Sequence, residues 1–312
     1  MPRPTFPKGL REFRQKFSSD ANCWGYLSQS RWPEGFRCPK CDSSRSWWIL
    51  SRHAHECQQC GHQASVSAGT LLHRSHLPIQ DWFWAAYLVA TLTPGMSAKQ
   101  LQRQLGCRYQ TAWFVLHRLR RGMVSDTRSR LAGRVEADEV IVGGPVRGKR
   151  GRGVTKAVHS TLVFGAVEVI AYTDKHGEEM EKAGRLRLAL TQRADAVSIR
   201  NFLQKSVEPG SEVYTDGWRG YSKAALEGYE HALHPSDTHA LHIHRAFGNL
   251  KTWLNGTHHG VDPKYLQSYL NEFTFRFNRR KTPLAGFQTL LGIASNKDPV
   301  SLRVLSQPAS NG

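Results

Sequence analysis

The chain has 312 residues, 39% of them hydrophobic, and carries 43 Lys plus Arg against 25 Asp plus Glu, a formal net charge of +18. That length and apolar content support two or three packed domains and exclude a disordered or fibrous chain, while the charge predicts a polyanionic partner, double-stranded DNA before any other. The opening residues lack the apolar stretch of a signal peptide and the longest apolar run, Trp82 to Ala90, is too short to span a bilayer, so a cytoplasmic protein with no membrane partner is expected.

Residues 1–72 form the first expected segment, an N-terminal region with a zinc ribbon. Cys38-Pro39-Lys40-Cys41 and Cys57-Gln58-Gln59-Cys60-Gly61 are separated by fifteen residues. Each Cys-x-x-Cys turn supplies two thiolates, and two such turns make the four soft ligands of a tetrahedral structural Zn2+ site. Trp47-Trp48-Ile49-Leu50 between them reads as a strand. Arg37, Lys40, Arg45 and Arg52 surround the knuckles, and Cys23 and Cys107 are left over as small apolar residues.

Residues 73–125 read as helical. Trp82, Phe83, Ala86, Tyr87 and Ala90 fall on one helical stripe, ended by Thr93-Pro94-Gly95. Ser97 to Gly106 predicts a short capped helix, and after a turn a second begins near Gln110 and runs to Arg121. The pair has the outline of a helix-turn-helix, with Arg118, Arg120 and Arg121 as expected DNA contacts.

Residues 126–290 alternate strand-like and helix-like runs. Strands are predicted at Val135–Val142, Leu162–Tyr172 and Leu186–Thr191, a helix over about Ala194–Val207 with Asp195 near its start, and a fourth strand at Glu212–Thr215. Three adjoining strands, a helix and a further strand is the order of an α/β ribonuclease-H-like sheet, in which the fourth strand lies beside the first. That adjacency brings Asp138 and Asp216 together at strand ends. Two hard carboxylates in a basic chain suit Mg2+, which neutralises charge on a phosphodiester. The glycine-rich loop carrying Arg147, Lys149, Arg150 and Arg152, and a late helix carrying Arg276, Arg279 and Arg280, are the expected phosphate contacts. From about Thr282 no periodicity is evident, and residues 291–312 are expected as a loose tail.

Four stretches together resemble a known family: Arg31-Trp32-Pro33-Glu34-Gly35-Phe36-Arg37-Cys38-Pro39-Lys40-Cys41, Val135-Glu136-Ala137-Asp138-Glu139-Val140-Ile141-Val142-Gly143-Gly144, Tyr214-Thr215-Asp216-Gly217-Trp218, and Phe273-Thr274-Phe275-Arg276-Phe277-Asn278-Arg279-Arg280. They look like the DDE transposases of the fifteen-ninety-five family of insertion sequences. The resemblance implies a ribonuclease-H-like domain that binds terminal inverted repeats, cuts the element ends by metal-dependent hydrolysis and joins the freed 3′ hydroxyls to target DNA. It also implies a homo-oligomer, at least a dimer on DNA. Asp138 and Asp216 match the first two acids of its triad. The third acid of the family precedes a lysine by seven positions on a helix; Lys251 fits that lysine, and His244 stands where the acid is expected. An imidazole prefers softer ions than magnesium, which shifts the expectation toward Mn2+. Asn249, whose amide oxygen is a hard ligand, is the alternative third member. A second reading takes His244 as the mark of a decayed nuclease in a sequence-specific DNA-binding regulator.

Overall fold

The computed structural model describes residues 4–125, 128–143, 161–216, 218, 220–223, 225–233 and 241–299. They divide into two compact units, one running to Ser125 and resuming at Arg279, the other ending at Asn278. Among the described residues no helix is long and apolar enough to cross a membrane.

The first unit begins with helices α1 (Leu10–Lys16) and α2 (Asp20–Arg31), the latter opened by Ser19, whose hydroxyl accepts from Asn22 N–H at 3.3 Å. A three-stranded antiparallel sheet follows, β1 (Ser46–Ile49), β2 (Ala54–Cys57) and β3 (Gln63–Ser65). Helices α3 (Ile79–Thr91), α4 (Ala98–Leu105) and α5 (Tyr109–Arg121) come next. Ser97 caps α4 by accepting from Gln100 N–H at 3.2 Å, and Gly106 ends it at φ 61°, a left-handed turn that glycine adopts without strain.

The second unit is a five-stranded sheet with helices on both faces. Its strands are β4 (Arg134–Val142), β5 (Thr161–Thr173), β6 (Glu179–Thr191), β7 (Glu212–Thr215) and β8 (Glu230–Leu233). Their spatial order is β6-β5-β4-β7-β8, antiparallel through β6, β5 and β4, then parallel from β4 to β7 and β7 to β8. Helix α6 (Ala196–Ser206), capped by Asp195, which accepts from Ser198 N–H at 2.8 Å, buries Ile199, Phe202 and Leu203 on one face with Val135, Ala137 and Val213. On the other face α7 (Leu241–His258) and α8 (Leu266–Asn278) pack on β4, β5 and β6. Ile243, Ala246, Phe247, Leu250, Trp253 and Leu254 form the buried stripe of α7, at the spacing of a single helical face. Each large apolar side chain removed from water there contributes about 1.5–3 kcal/mol.

The outer edge of β6 is met by side chains of α8. Leu186 N–H donates to Asn278 Oδ1 at 2.7 Å, Asn278 Nδ2 donates to the Leu186 carbonyl at 3.1 Å, and Leu190 N–H donates to Gln267 Oε1 at 2.9 Å.

Several expectations change. β6 starts at Glu179 rather than Leu186, because its first half pairs with the distal part of β5 as an exposed ribbon and needs no apolar face. β8 was not expected; it has four residues, mostly exposed. The segment after Thr282 is not aperiodic coil but helix α9 (Pro283–Ala294), which belongs to the first unit and packs on α3. Phe287 is fully buried there, its ring 5.7–6.3 Å from those of Phe13, Phe17, Tyr26, Phe83 and Tyr87. Of the expected tail, 291–312, the first four residues are the end of α9, and residues 300–312 lie outside the described residues.

Candidate active site and zinc ribbon

The four cysteines of the ribbon converge. Their Sγ atoms all lie within 4.8 Å of one another, with Cys38 to Cys60 at 3.6 Å and Cys41 to Cys57 at 3.5 Å. Four sulfurs on a tetrahedron of ~2.3 Å zinc–sulfur bonds stand about 3.8 Å apart, so the set fits zinc and is far too open for disulfides. The two knuckles are built alike. Asp42 N–H donates to the Cys38 carbonyl and Gly61 N–H to the Cys57 carbonyl, both at 2.9 Å, and both residues after the second cysteine are left-handed, Asp42 at φ 59° and Gly61 at φ 67°. Between the knuckles, β1 exposes Trp47 on one side and turns Trp48 toward His55, 5.0 Å away. Phe36 stacks on the other side of that imidazole at 4.7 Å.

In the second unit, β4 and β7 are parallel neighbours with Glu136 opposite Tyr214. Two residues further along the same register stand Asp138 and Asp216, at the end where both strands stop pairing. Asp138 is buried, 8% exposed, and Asp216 is exposed. Asp138 Oδ1 accepts from Glu139 N–H at 2.8 Å, and its Oδ2 lies 2.8 Å from His244 Nε2 on the first turns of α7. Where Asp138 is ionised it can only accept, and Nε2 is then the donor. Burial pushes the Asp138 carboxyl up; the Glu139 N–H and His244 partly oppose this, and the Asp216 charge adds to it. Asp216 Oδ1 accepts from Trp218 N–H at 2.9 Å.

Two acids beside Asp138 have partners of their own. Glu139 accepts from the Tyr221 hydroxyl at 3.0 Å, and burial, reinforced by Asp138 and Asp216, holds its carboxyl above the usual range. Tyr221 is buried, and the same three acids add to the effect of burial in keeping its phenol protonated. Glu136, 2% exposed, accepts through Oε2 from the backbone N–H groups of His242 and Ile243, each at 2.9 Å. Sequence reasoning assigned neither glutamate a role.

The approach of α7 to this end of the sheet depends on Gly165, which pairs with Asp138 across β5 and β4. A Cβ at Gly165 would stand 2.5 Å from Phe247 Cε1 and 2.8 Å from Ile243 Cδ1. Gly165→Ala therefore lowers the stability of this unit by about 1–3 kcal/mol through overpacking, read as a fall in denaturant midpoint; an unchanged midpoint would refute the close packing.

The two alternatives for a third member are separated by helical geometry. Lys251 follows His244 by seven residues, about two turns and ~10 Å along the same stripe, whereas Asn249 is turned roughly 140° from His244 about the axis. His244 and Lys251 are exposed on that stripe; Asn249 is exposed elsewhere.

As a metal site the arrangement offers two carboxylates and an imidazole, a set of mixed hardness that suits manganese or magnesium. A cation held by Asp138 and His244 would offset the carboxylate charge that burial disfavours.

The expected DNA contacts fare unevenly. Arg118 and Arg120 are buried, 5% and 2% exposed, because α5 buries a wide apolar face that includes them, with the Arg118 guanidinium 4.3 Å from the Phe114 ring; Arg121 is exposed. Arg276 turns inward, its side chain 14% exposed and 3.9 Å from the fully buried Glu272. Arg279 and Arg280 follow the end of α8 rather than lying on it, Arg279 half-buried and Arg280 exposed. Arg147, Lys149, Arg150 and Arg152 lie outside the described residues.

Residues 130–278 match the ISXO2-like transposase domain and residues 18–63 the transposase zinc-ribbon domain. The chain is also similar, at 25% identity over 280 residues covering 83% of it and 91% of the relative, to an uncharacterized protein in transposable element ISH50 of Halobacterium salinarum. With Asp138 in β4 and Asp216 just past β7 inside the first match and its four cysteines inside the second, the chain belongs to the fifteen-ninety-five family of insertion-sequence DDE transposases.

Proposed function

We propose that the chain is a DNA transposase that binds the terminal inverted repeats of its element, cleaves their ends by metal-dependent hydrolysis and transfers the resulting 3′ hydroxyls to target DNA. The observation that carries this reading is the 2.8 Å contact of His244, on the first turns of α7, with Asp138 on β4, with Asp216 standing just past the end of the adjacent parallel strand. The strand order β6-β5-β4-β7-β8, antiparallel then parallel, supports a ribonuclease-H-like fold for the domain.

Asp138 and Asp216 would hold Mg2+ or Mn2+, with His244 as third ligand in preference to Asn249. The bound ions supply charge neutralisation on the scissile phosphate and activation of the attacking oxygen. Asp138 enters this role with both oxygens already oriented, one by its neighbour's N–H and one by His244, so little ordering remains to be done. Lys251, along the same stripe as His244, is placed to meet a phosphate of the DNA end. The helix pair α4–α5 serves duplex binding with Arg121 at its exposed end, and Arg280 adds a phosphate contact. Two ends must be held together, which calls for at least a dimer on DNA; gel filtration with end DNA should show one.

The test is nicking of a labelled duplex carrying the element end, with magnesium or manganese, by the native chain, His244→Ala and Asn249→Ala. The expected result is metal-dependent nicking, greater with manganese, lost in His244→Ala and kept in Asn249→Ala. A native chain that binds the end and never cuts it would replace this reading with a DNA-binding regulator.

A further inference from the structure

We infer that Glu136 is a positioning residue for the active site: from inside the sheet it caps the N-terminus of α7 and so sets His244 against Asp138. The inference rests on the proposed role of Asp138 and His244 but names a residue that neither the fold nor the comparisons assign.

The first amides of a helix have no partner within it, and they carry the positive end of the helix dipole. In most helices a short side chain just ahead of the first turn satisfies them. Here the acceptor comes from a strand more than a hundred residues earlier. Glu136 Oε2 accepts from both His242 and Ile243, at 2.9 Å each, and His244 is the next residue. Glu136 and Asp138 are two apart on β4, so their side chains leave the same face of the sheet, the one α7 covers. One carboxylate thus fixes the backbone of α7 while the next is touched by its imidazole.

A burial of 2% makes a structural role alone an incomplete account. An acid placed there costs desolvation that an apolar residue would not, and its two hydrogen bonds go to a single helical turn. The packing stripe of α7 holds the helix to the sheet through Phe247, Leu250 and Leu254, with Gly165 letting it approach closely, but apolar contacts are non-directional and do not aim the first turn. Two charge-assisted hydrogen bonds of fixed length supply that direction. A displacement of the imidazole by an ångström is enough to matter, since misplacement on that scale costs reactions of this kind about a hundredfold.

The full-length protein is compared with Glu136→Ala and Glu136→Gln, using hydrogen exchange followed by mass spectrometry on the peptide covering 241–247 and nicking of the end duplex with manganese. In Glu136→Ala the first-turn amides exchange about tenfold faster, the β4–β5 amides exchange as in the native chain, and kcat falls about a hundredfold with KM for DNA unchanged. Glu136→Gln, which keeps the accepting oxygen without the charge, restores part of both. If Glu136→Ala does not fold, Glu136→Gln decides the matter with the same pair of readouts at smaller amplitude. Native exchange at the first turn, or a native nicking rate with accelerated exchange, overturns the inference. If the native chain itself never nicks, the transposase reading falls, while exchange at α7 still accepts or rejects Glu136 as the residue that seats it.

Discussion

Asp138→Asn lowers metal-dependent nicking by about 4 kcal/mol of transition-state stabilisation, roughly a thousandfold, yet leaves the metal-free protein at least as stable as the native chain. The first half follows from the loss of a carboxylate on which both the adjacent strand end and His244 converge. The second half follows from the sign of its pKa displacement. Burial, reinforced by Asp216, raises the folded-state value despite the hydrogen bonds of Glu139 N–H and His244. The native state therefore binds this proton more tightly than the unfolded chain. Its favourable contribution is fully present below the ordinary carboxylate pKa and is lost as pH rises through the folded value, so at neutral pH the ionised group is a cost. Asparagine has the same shape and no charge to desolvate. Thermal melts of both forms in chelator, at mildly acidic and neutral pH, should show the native chain giving up more stability across that interval. A variant that melts well below the native chain at neutral pH, or nicks at its rate, would refute the assignment.

Cys57→Ser removes the fold of the zinc ribbon while sparing the five-stranded unit. The buried core of the ribbon is Phe36, Cys38, Cys57 and Ala64, so half of it consists of the metal ligands themselves. A core that small does not hold three short strands together, and structural zinc in comparable peptides contributes an apparent ~10–16 kcal/mol. Metal analysis should find the bound zinc lost, and limited proteolysis should open the stretch from Phe36 to Val66. The sheet β6-β5-β4-β7-β8 keeps its protection because its core draws on none of these residues. A Cys57→Ser protein whose β1–β3 sheet still resists protease would show that the ribbon stands without its metal.

Both centres were legible in the sequence to different depths. The four ligands of the ribbon were legible because knuckle geometry is local, two cysteines and a left-handed residue within a five-residue turn, whereas its strands β2 and β3 were not expected. Asp216 was legible because the short apolar run before it marks a strand end, and the pairing of β4 with β7 follows from the order of the elements; Asp138, expected at a strand end, lies instead in the middle of β4, opposite Gly165. His244 was found only by counting back from Lys251. Glu136 and Glu139 were opaque, since what each does depends on a partner 82 to 107 residues away that no local pattern announces. The arginines of α5 misled for a different reason. A charge in the last turn of a helix normally faces water, but Val115, Leu116 and Leu119 widen the buried face until it encloses Arg118 and Arg120. Helix α9 escaped notice: it buries Phe287, Leu290, Leu291 and Ala294 at i, i+3, i+4 and i+7, one helical face, but Leu284, Leu291 and Ile293 spread apolar residues round the helix and no charged residue marks its other side.

The amide side chains of Asn278 and Gln267 have a consequence for how the protein keeps company with its own copies. A sheet whose last strand offers free N–H and C=O groups invites another chain to continue it, and a basic protein gathered along DNA would meet such chains at high local density. Asn278 answers both backbone groups of Leu186 as a neighbouring strand would, and Gln267 answers Leu190. Along this stretch the sheet is finished by its own helix, and crowding on the polyanion does not turn assembly into aggregation through that edge.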